Sequence, residues 1–181
     1  MLRYNAAMTD APASSFPGPE HDHGRCVEEA MGRARETFAK KGMKLTPLRE
    51  RVLAEILASH KPVGAYDVVH RLTAAGARVT PISVYRVIDA LLATGLVRRL
   101  KSQNAFFASH GWHQARPRQF ALQCKACGQV AEADGERIYV AITNAARVSG
   151  FLPEDAVIEV LGLCANCSRQ PSAHRPEADG A

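Results

Sequence analysis

Thr80-Pro81-Ile82-Ser83-Val84-Tyr85-Arg86-Val87-Ile88-Asp89-Ala90-Leu91-Leu92-Ala93-Thr94-Gly95 reads as a helix with its own start and stop. Thr80 offers an N-cap hydroxyl, Pro81 fits the first helical position where a missing N–H costs nothing, and Gly95 ends the run. Val84, Val87, Ile88, Leu91 and Leu92 fall at i, i+3, i+4, i+7 and i+8, which makes one stripe apolar. At roughly 100° per residue, Arg86 falls opposite that stripe and Tyr85 on its flank. An outward Arg near the start of a helix is what major-groove readout uses. Its guanidinium matches guanine in a bidentate pair, and a Tyr can pack on a thymine methyl. Either side chain could instead serve the protein surface, Arg86 as a solvated charge and Tyr85 as a half-buried packing residue.

The flanks of this helix fit that use. Downstream, Leu96 to Leu100 and Ala105 to Ala108 read as a hairpin turning at Lys101-Ser102-Gln103-Asn104, with Arg99 and Lys101 available to phosphates. Upstream, Val27, Ala30, Met31, Ala34 and Phe38 predict a helix over 26–41. Thr46-Pro47 starts a second, striped by Leu48, Val52, Leu53, Ile56 and Leu57, and residues 65–75 form a third closed by Gly76. Short helices followed by a basic hairpin predict a winged helix-turn-helix. Residues 33–101 hold 14 Lys or Arg against 5 Asp or Glu, a net charge of +9, whereas the whole chain of 181 residues carries only +5. A basic segment of this size favours phosphate partners through counterion release and steering.

Near residue 110 the character changes. Cys124-Lys125-Ala126-Cys127 and Cys164-Ala165-Asn166-Cys167 are two tight knuckles with 36 residues between them. Four thiolates from two such turns close a tetrahedron around one Zn2+, with no open position for catalysis. Zinc there contributes on the order of 10 kcal/mol to folding of this half, because the site does not exist in the unfolded chain. Strands at 120–123, 129–133 and 156–163, with a helix at 137–149, predict a small sheet with an exposed edge, and a homodimer is the expected cover. The fold class is therefore α+β: an N-terminal winged helix-turn-helix at 24–109 and a C-terminal α/β dimerisation and zinc-binding domain at 110–168. The Pro- and Ser-rich residues 1–23, in which Met8 is an alternative start, read as a disordered arm, and 169–181 as a disordered tail. No apolar run is long enough to span a bilayer and no secretory signal pattern is present, so the expected location is cytoplasmic.

Leu45-Thr46-Pro47-Leu48-Arg49, Ala65-Tyr66-Asp67, Val84-Tyr85-Arg86-Val87-Ile88 and the two knuckles, in this order, resemble the ferric uptake regulator superfamily. His21-Asp22-His23 with Cys26, and Ser59-His60-Lys61-Pro62-Val63-Gly64-Ala65-Tyr66-Asp67, are similar to its zinc uptake regulator branch. The resemblance covers residues 21–168. It implies a dimeric, metal-responsive transcriptional repressor of metal-uptake genes that binds a double-stranded DNA operator, with DNA contacts at Tyr66 and Arg86. It also implies a sensing site between the domains whose four ligands, His, Cys, His and Glu, would fall on Arg98, Ser109, Pro117 and Glu132. Only the Glu is present. The His-His-Asp-His run of iron regulators would fall on Arg118-Gln119-Phe120-Ala121 and is also missing.

Two outcomes are open for sensing. A loop of altered length lets His110 and His113 join Glu132 around a second, regulatory metal, since an i, i+3 histidine pair completed by a carboxylate can hold an ion. Otherwise these histidines are loop residues, and the Arg98 guanidinium fills the vacated pocket and pairs with Glu132. His21, Asp22, His23 and Cys26 form another cluster with good ligand types, weakened by its setting in the arm. His60 and His70 are expected to be surface or capping residues, and His174 lies in the tail. Three functions follow: a metal-responsive repressor, a family member that binds DNA constitutively or answers another signal, and a zinc-ribbon adaptor that dimerises without DNA. Nothing resembles a nucleophile with its base or a phosphate loop, so an enzyme is not expected, nor a small-molecule substrate.

Overall fold

The computed structural model describes residues 16–18, 20–109 and 118–169. The first half is built from α1 (His23–Lys40), α2 (Pro47–Leu57), β1 (Val63–Gly64), α3 (Ala65–Ala74), α4 (Pro81–Thr94), β2 (Val97–Leu100) and β3 (Ala105–Ala108). The second half contains β4 (Gln119–Cys124), β5 (Val130–Asp134), α5 (Glu136–Val148), β6 (Glu159–Gly162) and the short α6 (Ala165–Ser168). No described helix is long and apolar enough to cross a membrane.

Helix boundaries follow local chemistry. Thr46 Oγ1 accepts the Arg49 N–H ahead of α2. At α4, Thr80 Oγ1 accepts the Ser83 N–H while Ser83 Oγ accepts the Thr80 N–H, a reciprocal cap that fixes where the helix begins. Gly95 ends it at φ +76°, a left-handed conformation that a side chain would strain. The structure departs from the sequence expectation at α1, which starts at His23 rather than near residue 26. Asp22 Oδ1 accepts the Arg25 N–H, so the last two residues assigned to a disordered arm, Asp22 and His23, are a helix cap and the first residue of the helix.

The core of the first half joins Phe38, Val52, Leu53, Ile56, Leu57, Val68, Val84, Ile88 and Leu91, each nearly inaccessible to solvent, with Phe106 from the hairpin. The sheet order is β1-β3-β2, all antiparallel, with Val63 opposite Phe106 and Arg99 opposite Phe106 on the other side. β3 is buried on both faces. Phe106 points into the helical core, while Phe107 joins Leu100, Val130 and Ala121 in a second cluster shared with the other half. The hairpin is thus clamped between the helices and the second sheet.

That second sheet has the order β5-β4-β6, with β4 antiparallel to β5 and parallel to β6. A parallel pair needs a crossover, which α5 provides. Gly135 opens α5 because a Cβ there would lie 2.9 Å from the Tyr139 ring and 3.0 Å from the Arg118 carbonyl. Tyr139 Oη donates toward the Gln119 and Ala156 carbonyls, both at 3.2 Å, and holds the helix on the sheet. α5 buries none of its residues, and Ile138, Val140 and Ile142 on it are exposed together with Val160, Leu161 and Leu163 around edge strand β6.

Candidate nucleic-acid interface and metal centres

Of the DNA contacts expected from the sequence, Tyr66 and Tyr85 meet and Arg86 follows Tyr85 on the same helix, while Arg99 and Lys101 lie on the hairpin. Tyr66 opens α3 at 69% exposure, and its ring meets that of Tyr85 on α4 edge-to-face, with centroids 6.2 Å apart. Tyr85 is 37% exposed, so it is both packed and accessible. Arg86 is exposed on the next position, and Ile82 projects from the first turn of the same helix. Asp67 Oδ2 accepts the Gly64 N–H and fixes the start of α3 that carries Tyr66. On the hairpin, Arg99 is exposed, bonded to Asn104 Oδ1 and placed over the Phe106 ring at 5.9 Å. Lys101 is exposed at the tip. The backbone of that tip has a partner the sequence did not disclose: Glu159 on β6 accepts the N–H groups of Lys101 at 2.6 Å and Ser102 at 3.1 Å. Burial works to raise the Glu159 carboxyl, but the Ser102 hydroxyl and these two N–H groups outweigh it and hold it below its ordinary value.

Cys124, Cys127, Cys164 and Cys167 converge, their sulfurs all within 4.8 Å of one another. The Cys127 and Cys164 sulfurs are 4.0 Å apart, against an edge of about 3.8 Å for a tetrahedron with zinc–sulfur bonds of about 2.3 Å. The first knuckle turns through Gly128 at φ +76°, whose N–H bonds the Cys124 carbonyl, and the Lys125 N–H bonds the Gly162 carbonyl of β6. Those bonds set the two knuckles side by side. Burial opposes ionisation of Cys124, yet backbone N–H groups of Cys127, Cys164 and Ala126 and the Cys127 thiol bring it down to about 6. Cys167 is pushed up to about 12 by desolvation and by its three sulfur neighbours, because four thiolates cannot gather without a cation to neutralise them. The donor set, spacing and charge all fit one structural zinc.

At the junction of the halves, Arg98 on β2 donates to Glu132 Oε1 at 3.0 Å, Gln119 Oε1 at 3.2 Å and the Gln119 carbonyl at 3.1 Å. Ser109 Oγ donates to the other Glu132 oxygen at 2.7 Å. Glu132 is only 7% exposed, so a guanidinium and a hydroxyl satisfy a buried carboxylate where the family resemblance implied a metal. His110 and His113, the other proposed partners of Glu132, and Pro117 lie outside the described residues.

A second group of potential ligands was only partly read from the sequence. His21, His23, Cys26 and His60 place one ligand atom each within 4.8 Å of the others. Asp22 is not among them, being occupied as the α1 cap. His60, expected to be a surface or capping residue, belongs to the group. It was missed because it comes from the turn that follows α2, 37 residues from His23, and the packing of α1 on α2 brings them together. The one available signal was its place in the stretch 59–67 that resembles zinc regulators.

The ferric uptake regulator family model matches residues 40–161. The zinc uptake regulation protein of Escherichia coli K12 is 31% identical over 151 residues, covering 83% of this chain and 88% of that protein. The peroxide operon regulator of Bacillus subtilis 168 is 25% identical over 142 residues, covering 76% of this chain and 92% of that protein. Among solved structures, a zinc uptake regulator complexed with zinc and DNA is similar with a TM-score of 0.72 at 30% identity, over 81% of this chain and 97% of its own. Holo XcZur is similar with a TM-score of 0.68 at 32% identity, over 79% and 99%. On the match of the family model across most of its length and of a regulator more than 30% identical, the chain belongs to the ferric uptake regulator family.

Proposed function

We propose that the chain is a dimeric, metal-responsive DNA-binding repressor of zinc-uptake genes, working in the cytoplasm. The observation that carries this reading is the face formed by Tyr66, Tyr85 and Arg86 on a doubly capped helix, in a chain that superposes on a zinc regulator bound to DNA. α4 enters the major groove, Arg86 reads a base edge, and Tyr66 and Tyr85 pack beside it. Arg99 and Lys101 contact phosphates from the hairpin, without sequence information. Residues up to 109, starting at the Asp22 cap, act as the DNA-binding unit. Residues 110–168 act as the dimerisation unit, in which the exposed apolar residues of α5 and β6 are covered by a second copy. Zinc held by the four cysteines fixes the knuckles and with them β6; it has no catalytic part, and the chain is not an enzyme.

A second reading is favoured by one contact. The Arg98–Glu132 pair closes the junction without a metal there, which supports DNA binding that does not depend on a junction metal. The test is a mobility-shift titration of a zinc-uptake operator duplex by protein that retains its four-cysteine zinc, with and without added zinc. A rise in affinity with added zinc supports the responsive repressor. Strong binding in both states supports the metal-independent one, and no preference for the operator over a scrambled duplex refutes both.

A further inference from the structure

Three imidazoles and a thiol converge about α1 and the end of α2, apart from both the four cysteines and the Arg98–Glu132 junction. We propose that His21, His23, Cys26 and His60 form a second zinc site, and that this site provides the metal response in a chain whose junction is closed by Arg98. The regulatory half of the proposal rests on the repressor reading above. His23 Nδ1 and His60 Nε2 face each other at 3.2 Å, close to the edge of about 3.3 Å in a tetrahedron with zinc–nitrogen bonds of about 2.05 Å. The His21 and His60 rings, and the His23 and His60 rings, meet edge-on with centroids 4.9 Å apart. The Nε2 atoms of both His21 and His23 are shut off from solvent with no hydrogen-bond partner. A buried polar atom left unsatisfied is costly, and the His21 Nε2 lone pair directed at a shared cation removes that cost; His23 offers the cation its Nδ1, so its Nε2 stands outside the ligand set. Three nitrogens and one thiolate form a borderline-soft, four-coordinate set, which suits zinc.

The position of the site gives it leverage. His60 sits in the turn between α2 and β1, and its carbonyl accepts the N–H of Val130 on β5. The adjacent Lys61 side chain lies over Gly128 of the first knuckle. At the other end, the Pro17 carbonyl accepts a hydrogen bond from the side chain of Asn166 in the second knuckle. Zinc would therefore tie together the segment before α1, α1 itself and the α2–β1 turn, all next to contacts with the zinc-ribbon half. A ligand shifts an equilibrium by its preference for one arrangement. Here the preferred arrangement is the one in which the DNA-reading helices are held against the second half.

The test uses full-length protein with its four-cysteine zinc in place. It is titrated with zinc against a competing chelator, then with Co2+ followed by visible absorption, and operator affinity is measured at each step. The expected result is one further ion per chain, with tetrahedral cobalt bands and a thiolate charge-transfer band that Cys26→Ser abolishes. Operator affinity should rise about tenfold as the site fills, and His23→Asn with His60→Asn should remove both ion and rise. Circular dichroism and retained four-cysteine zinc show whether the variants fold, and the wild-type cobalt spectrum decides the ligand set independently of them. A wild-type chain that takes up no second ion overturns the site, as does an ion that survives both variants undiminished, which places it elsewhere. A second ion with the expected spectrum but unchanged operator affinity overturns the regulatory half alone. Failure to prefer the operator in any metal state refutes the repressor reading, and the cobalt titration still decides the site.

Discussion

Arg98→Ala removes the cation that satisfies Glu132 and leaves that carboxylate with Ser109 as its remaining side-chain partner. Breaking a fully buried pair by deleting one member costs about 3–5 kcal/mol, because the other charge stays uncompensated. Here Glu132 is 7% exposed but Arg98 is 35% exposed, so solvent screens the pair and lets the vacancy fill with water, and about 2 kcal/mol is the expected cost. Deleting both partners should cost little more than deleting Arg98 alone. The double-mutant cycle of Arg98→Ala with Glu132→Ala should therefore give a coupling of about 1–2 kcal/mol. The assay is urea denaturation of the zinc-loaded protein followed by circular dichroism, with hydrogen exchange of the β2 and β5 amides to localise the effect to the junction. A cost below about 0.5 kcal/mol, or additive single effects, would refute the idea that the guanidinium replaces a metal at this position.

Glu159→Gln should loosen the hairpin tip, raising amide exchange at Lys101 and Ser102 severalfold while leaving the helical core protected; unchanged exchange counts against the latch. Since the folded Glu159 carboxyl lies below its ordinary value of 4.5, its contribution is fully present above that value. It is lost as pH falls through the lowered folded value, and the Gln variant should show a smaller acid destabilisation in that window. Arg86→Ala should cost about 1–3 kcal/mol on a specific duplex with lost discrimination at one base pair per half-site, whereas equal weakening on a scrambled duplex would make Arg86 a phosphate contact. Leu161→Asp with Leu163→Asp should shift the protein from dimer to monomer in analytical ultracentrifugation without loss of zinc, and a persistent dimer would move the interface away from β6.

The sequence disclosed what is encoded over short range. Thr46-Pro47, Thr80-Pro81 and Gly95 stated the ends of α2 and α4 because a cap is a contact over three residues, and the stripe of α4 named its buried face. The Arg98–Glu132 pair was legible through the family resemblance, because three of four expected ligands were replaced and one replacement was a cation. β1 escaped notice because two residues carry no period; it exists only because Val63 and Gly64 pair with Phe106 and Ala105. His60 and Glu159 escaped for a related reason. Their partners lie 37 and 58 residues away in sequence, and nothing local distinguishes a histidine at a helix end or a glutamate on a strand from a solvated one. The start of α1 was within reach, since Asp22 before His23 is an N-cap signal, but the Pro-rich residues before it masked the cap.

The parallel pairing of β4 with β6 dictates when the four-cysteine site can come into being. Cys124 and Cys164 are 40 residues apart, and they meet only after α5 has crossed over and β6 has docked on the far side of β4. Closing a loop of that length precedes any reward from the contacts it allows, so the sheet is slow to assemble and the knuckles remain apart until it does. During synthesis the first knuckle emerges long before the second. A lone Cys-x-x-Cys pair offers two of four ligands and holds zinc weakly, so tight capture waits until residue 167 has left the ribosome. Zinc retention is thus a record of completed assembly: a chain cut short after β5 would keep its DNA-reading helices but carry neither the β6 edge nor the ion.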